Sequence, residues 1–383
     1  MLNLKRNGSA IELVFPFLFY YLFQEHKDTK NFQNMVDLLE MFFVRKTLLR
    51  KQSKQIPTSG ESNLNTYFKL MTMIGSRCGS HQGNTVAHIF QRARNGFVVF
   101  YNVKDSLFFI TSFCIIARRH GVKVLALCLM YNHVHILLDT DDKESIRLFI
   151  KELMSYFCKS YNRRYGLSGE LFGKYGMSLK KGDKAIRTAL AYVNNNPVED
   201  HICGKAEEWR WNFLAYSDSD HPYSEKVNLG IASRRLRRAV AKVKYLHATE
   251  RPLTYEVLDN LFDSLAIKEK QQLVDLIINE YAIVDFRQAI SFYGDYDKML
   301  ISFASNTGSE YEISEPFDPH SGQAYRKMAD YLARDNRFKS IGEVINLPLG
   351  KLVEYLDELV SQCGVRQCHA MKFLHIIQNR LGT

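Results

Sequence analysis

The chain has 383 residues, long enough for two or three domains and at least one sizeable core. Hydrophobic residues make up 46% and charged residues 24%, which excludes a disordered polyelectrolyte and matches an ordinary soluble globular protein. Lys and Arg outnumber Asp and Glu by 51 to 41, a formal charge of +10; this excludes a strongly acidic surface and favours an anionic partner, nucleic acid first.

Ile11 to Phe23 is almost wholly apolar, but it contains Glu12 and Pro16 and is too short to span a bilayer. It reads as a packed N-terminal element, with a membrane-surface role as the alternative, and no membrane partner is expected. Asn31 to Leu49 reads as a helix, Lys51 to Asn65 has the composition of a linker, and Gly75 to Asn84 reads as a loop. The seven cysteines (Cys78, Cys114, Cys128, Cys158, Cys203, Cys363, Cys368) are odd in number and show no CxxC spacing. That speaks against a disulfide framework or a zinc knuckle and for reduced core residues in a cytoplasmic protein; a nucleic-acid partner would make it nucleoid-associated.

From Thr85 the pattern sharpens. Thr85 to Arg92 reads as a strand, and Asp105 to His120 as a helix with Asp105 as N-cap and Gly121 as its stop. Val122 to Met130 is a near-continuous apolar run, a strand buried on both faces. Tyr131-Asn132 makes a tight turn, and His133 to Leu138 returns antiparallel. Apolar residues from Ile146 to Tyr161 recur every three or four positions, a helix over about Lys143 to Arg164. Phe172 to Lys180 reads as a strand. Asp183 to Asn195 reads as a helix that Asn196-Pro197 should end, because the residue before proline avoids helical backbone. This order predicts an α+β fold, an antiparallel sheet with packed helices.

Arg234 to Lys244 carries six cations and no acid, and the remainder reads as helical. Ile341 to Val360, with Asn346-Leu347-Pro348 between two helices, has the pattern of a helix-turn-helix. The expected organisation is an N-terminal extension over 1–80, a mixed domain over 81–217, a basic linker or helix over 218–245, and an all-helical C-terminal domain over 246–383.

His133 and His135 stand two apart on a strand, so both imidazoles project to one side while Val134 packs behind. That pairing suits a metal site or acid–base chemistry; the alternative is a packed, hydrogen-bonded pair. Tyr192 and Asn196 stand four apart on a helix and share a face, offering a phenol and an amide oxygen. The alternative there is a core aromatic followed by a helix cap.

The run Met130-Tyr-Asn-His-Val-His-Ile-Leu-Leu138, followed by Ala191-Tyr-Val-Asn-Asn-Asn-Pro-Val198, resembles the paired signature of the REP-associated tyrosine transposases, within the single-tyrosine HUH transposases. Also similar to that family are His88 to Phe97, Ser160 to Gly166, Leu171 to Tyr175 and Glu208 to Ser217. The likeness spans about residues 84–217. It implies a ferredoxin-like catalytic domain that cleaves single-stranded DNA, with His133, His135 and Asn196 as metal ligands and Tyr192 as nucleophile. Tyr131 departs from the family, where proline is usual. A hard divalent ion, Mg2+ or Mn2+, suits phosphate chemistry.

The DNA partner, as single strand or hairpin end, draws on cations interleaved with aromatics. Lys159, Arg163, Arg164, Lys174, Lys180 and Lys181 lie among Tyr161, Tyr165, Phe172 and Tyr175. Arg92 and Arg94 would share a strand face, and Arg234, Arg235, Arg237 and Arg238 would track a phosphate backbone. The expected activity is strand cleavage and rejoining through a 5′-phosphotyrosine, by a monomer or homodimer. The alternative is a domesticated DNA-binding protein of the same fold that no longer turns over. Residues beyond 218 are expected to add affinity and not chemistry.

Overall fold

A computed structural model describes residues 85–305, 320–334, 338 and 340–377. The apolar N-terminal segment, the helix over Asn31 to Leu49, the linker and the Gly75 to Asn84 loop lie outside the described residues.

Four strands, β1 (Thr85–Arg92), β2 (Val124–Leu129), β3 (His133–Leu138) and β4 (Gly176–Lys181), form one antiparallel sheet in the order β2-β3-β1-β4. Helices α1 (Val103–Arg119) and α2 (Lys143–Tyr165) connect β1 to β2 and β3 to β4, and α3 (Asp183–Glu199) follows β4. This βαββαβ unit has the ferredoxin-like strand order. Strand alternation divides the sheet between two cores. Ala87, Ile89, Val134, Ile136 and Leu138 pack with α1 and α2. Val86, Cys128 and Leu137 pack with Ile186, Leu190 and Val193 of α3 on the other face.

Local chemistry shifts three boundaries from expectation. The α1 N-cap is Asn102, whose side chain accepts from the Lys104 and Asp105 amides; Asp105 sits one turn in and completes a capping box. β4 begins at Gly176, and Phe172 makes only an isolated bridge to Ala93. α3 runs through Pro197 to Glu199, because the last turn closes without that missing donor: Asp200 N donates to Asn196 O at 3.0 Å, and Ile202 N to Pro197 O at 2.8 Å.

The C-terminal helices wrap around this unit. α5 (Tyr255–Phe262) and α6 (Ile267–Tyr281) cover α1, while α4 (Arg234–Ala248) packs on the outside of α6. Val284 then bridges to Val124 at the free edge of β2, and Asp285 N donates to the Val124 carbonyl at 2.8 Å. At the other end of β2 Trp209 Nε1 donates to the Leu129 carbonyl at 2.8 Å and the Arg210–Asn212 turn packs on the strand, so β2 is buried along its whole length although it ends the sheet. α7 (Phe286–Ser291) and α8 (Tyr296–Ser305) lie on the α3 side.

A last group, α9 (Ser321–Ala333), α10 (Leu349–Cys363) and α11 (Gln367–Phe373), docks near the β2–β3 turn. Tyr131 packs against Trp209 and Tyr325, with centroids 5.9 and 6.0 Å away. Val98 N donates to Lys372 O at 3.2 Å, and Tyr101 donates to the Phe373 carbonyl. Ile341–Asn346, expected as the first helix of a helix-turn-helix, is a 3-10 turn. The seven-residue α11 is held on the sheet domain by its own carbonyls. Residues 81–383 group as one compact unit, and the main core draws on both sides of residue 217. Among the described residues no helix is long and apolar enough to cross a membrane.

Candidate active site

β3 sends His133 and His135 to the α3 side of the sheet, with ring centroids 5.1 Å apart and planes at 88°. α3 crosses that face and brings Tyr192 edge-on to His135, with centroids 5.4 Å apart. One helical turn later, the Asn196 side chain lies beside both imidazoles. The structure thus brings together the four residues expected to carry chemistry.

Amide orientations define the hydrogen bonding further. Asn132 Nδ2 donates to Gly96 O at 3.0 Å, so its Oδ1 is the atom 2.7 Å from His133 Nδ1. An amide oxygen only accepts, so His133 carries its proton on Nδ1. Burial, with the Arg92 guanidinium adding to it, lowers the His133 pKa to about 3. The ring is therefore neutral at pH 7, and its Nε2 holds a bare lone pair. Asn196 Nδ2 donates to Tyr192 O at 3.0 Å, which leaves Oδ1 as the end that meets the imidazoles. A bare nitrogen and an amide oxygen drawn together need a cation between them or a proton. This donor set fits a divalent ion bound by His133, His135 and Asn196. Among the described residues no group of three or more His, Cys, Asp or Glu side chains is arranged to hold a metal, so such a site depends on the asparagine.

Two neighbours were absent from the sequence-based site, His88 and Asn132. His88 Nε2 lies 3.1 Å from His135 Nδ1, and the His88 ring also meets Tyr192 edge-on at 5.5 Å. The motif run contains Asn132, but its role follows from a turn whose amide faces Gly96. The signal for His88 was its alternate spacing with Arg92 on β1. Its meaning required the β1–β3 register, which places Arg92 opposite His133 and Phe90 opposite His135.

The basic residues separate. Arg92 shares the face of the two histidines and is half-buried beside them. Arg94 does not share that face, because the strand ends at Arg92 and Arg94 enters a 3-10 turn with Asn95 at φ 57°. Its guanidinium pairs with Glu170, an exposed contact worth little in water. Arg164 is structural: it holds Asp259 at 2.6 Å, which Lys104 shares. Lys159, Arg163, Lys174 and Lys181 are exposed, and Lys180 is half-buried near His88. Tyr161, Tyr165 and Phe172 are core residues. Tyr175 is half-buried in a groove of about 410 Å³ with Lys151 and Lys174.

These shifts set the stability of the metal-free protein against pH. Burial lowers the pKa of His88 and His133 to about 3 and of His375 to about 4, and lowers that of His135 well below its usual value. Each is neutral when folded and takes up a proton on unfolding below about pH 6.5, so stability falls as pH falls. Asp105 opposes this. Burial raises it to about 7, so its folded form holds a proton through the same range. Four histidines against one carboxyl leave a net loss of stability as pH falls from 7 to 5. The urea midpoint of chelator-treated protein should therefore drop steeply from pH 7 to pH 5; an unchanged midpoint would contradict the buried neutral histidines.

Residues 83–196 match the family of IS200-like transposases. A REP-associated tyrosine transposase solved in complex with a REP hairpin aligns at 13% identity with a TM-score of 0.30, over 42% of this chain and 97% of its own. No curated protein matches.

Proposed function

With residues 83–196 forming an IS200-like transposase domain, we propose that the protein cleaves and rejoins one DNA strand through a covalent 5′-phosphotyrosine at Tyr192. The observation that carries this reading is the convergence of Tyr192 and Asn196, one turn apart on α3, on the two imidazoles of β3. The Tyr192 oxygen attacks phosphorus and gives up its proton to solvent. The bond from phosphorus to the 3′-oxygen breaks, and that oxygen takes up a proton. The covalent link conserves the phosphodiester energy, so a new 3′-hydroxyl can displace the tyrosine without ATP. A divalent ion held by His133, His135 and Asn196, Mg2+ or Mn2+, would polarise the scissile phosphate. Arg92, opposite His133, would meet a phosphate on the same face. All four side chains are in place, which argues against a retired, binding-only protein.

The test is a labelled single strand carrying the target, incubated with and without divalent ion. A covalent adduct should form only with the ion. His133→Ala should lower Mn2+ affinity about 10- to 100-fold or more. Cleavage that survives chelation would overturn the metal reading.

A second DNA contact lies elsewhere. Leu236, Val240, Val243 and Leu246 bury one side of α4, and Arg234, Arg237 and Arg238 stand exposed on the other. No acidic group lies within ion-pairing distance of those three among the described residues; Arg235 donates to Ser264 O at 3.1 Å. α4 rests on α6 and α6 on α1, beneath the sheet face opposite Tyr192. Its cations therefore serve a segment other than the cleaved strand. Replacing Arg234, Arg237 and Arg238 together by Gln should lower the log–log salt slope of binding by roughly 2–3. Adduct formation on a short oligonucleotide should not change. An unaltered slope would make this a solvated face only.

A further inference from the structure

His135 poses a question that His133 does not. The Asn132 amide settles the His133 proton, whereas the partner of His135 Nδ1 is another imidazole, His88 Nε2, at 3.1 Å. Either ring can donate in that contact. If His88 donates, His135 keeps its own proton on Nε2, and Nε2 cannot ligate. If His135 donates, its Nε2 is bare and matches His133.

We propose that His88 is a positioning residue that accepts the Nδ1 proton of His135 and so frees the His135 Nε2 lone pair for the divalent ion. The inference rests on the metal reading given under Proposed function.

The geometry suits an orienting hydrogen bond. The two ring planes are 13° apart and the centroids 5.3 Å apart. For a nitrogen–nitrogen contact of 3.1 Å that separation is close to its maximum, so the rings meet edge to edge and the contact lies nearly in both planes. A lone pair is directed there. His88 is fully buried on β1. Its ring is bracketed by Phe90 at 6.0 Å and Tyr192 at 5.5 Å. It therefore has little freedom to turn away and keeps the His135 ring from rotating. Gly176 supports this packing, since a Cβ there would lie 2.1 Å from the Phe90 ring. Each ligating imidazole then has its own acceptor at Nδ1, Asn132 for one and His88 for the other. Such partners fix the tautomer and orientation of metal-binding histidines.

Two measurements on the full chain test this. In protein labelled with 15N at histidine and saturated with Mg2+, His135 should carry its proton on Nδ1, and His88 should show a bare Nε2. Mg2+ that perturbs His133 while the His135 proton stays on Nε2 would overturn the proposal and leave the metal reading standing. Mg2+ that perturbs neither ring would overturn both. In parallel, His88→Leu, which has no acceptor, should weaken Mn2+ binding about 10- to 100-fold. His88→Gln, whose amide oxygen reaches the position of Nε2, should restore it to within a few-fold. A folded His88→Leu protein with unaltered Mn2+ affinity would overturn the proposal. If that variant does not fold, the proton position in the native protein decides.

Discussion

Tyr192→Phe is expected to abolish the covalent DNA adduct, lowering its rate of formation by at least about 10³-fold, with DNA affinity changed no more than a few-fold. The selectivity follows from how the ring is held. Its edge-on contacts with His135 and His88, at 5.4 and 5.5 Å, are made by the aromatic body, which phenylalanine keeps. The Asn196 amide hydrogen-bonds the Tyr192 backbone carbonyl, which the substitution does not touch. Only the phenolic oxygen is lost. Quantitative trapping of labelled single-stranded DNA on a denaturing gel reads the adduct, and a filter-binding titration reads affinity. An undiminished adduct would remove Tyr192 from the nucleophile's role, and a parallel loss of binding would show that its hydroxyl supports the site structurally.

Ending the chain at Ser217 is expected to cost the sheet domain its fold. α1 is buried from Asp105 to Ala117, so it has no side meant for water. Tyr255 packs on Phe108 with centroids 4.6 Å apart and donates to Asp105 at 3.0 Å, and Leu253 N donates to Thr111 Oγ1 at 3.1 Å. Leu273, Val274, Ile277, Ile278 and Tyr281 of α6 complete the same core. At about 1.5–3 kcal/mol for each large apolar side chain, losing this cover exceeds the roughly 5–15 kcal/mol by which a domain is stable. Circular dichroism of the truncated chain should show no cooperative melting transition. A truncated protein that melts cooperatively and cleaves DNA would show that the C-terminal helices are an addition. The contribution of α4 to DNA binding therefore has to be measured by surface substitutions in the whole chain.

Much of the site was legible in the sequence because its signals are local. Alternation along β3 is enough to send His133 and His135 to one side, and helical periodicity is enough to align Tyr192 with Asn196. The βαββαβ order followed from the same periodicities, and the open side of α4 from Leu236, Val240 and Val243 at helical spacing. Ends of elements were less legible, since Asn102 competes with Asp105 as a cap and Pro197 is tolerated in a final turn. Chain segments far apart in sequence decided the rest. His88 meets His135 only because β1 lies between β3 and β4 in a register set by backbone hydrogen bonds. Arg164 reads as a DNA cation until α5 brings Asp259 against it, and Tyr161 and Tyr165 read as base-stacking surfaces until the packing of α1 and α2 buries them. Local backbone geometry determines which way a side chain leaves its own element. Only tertiary packing determines what waits there, because partners across a sheet or between helices are chosen by burial and hydrogen bonding over the whole chain.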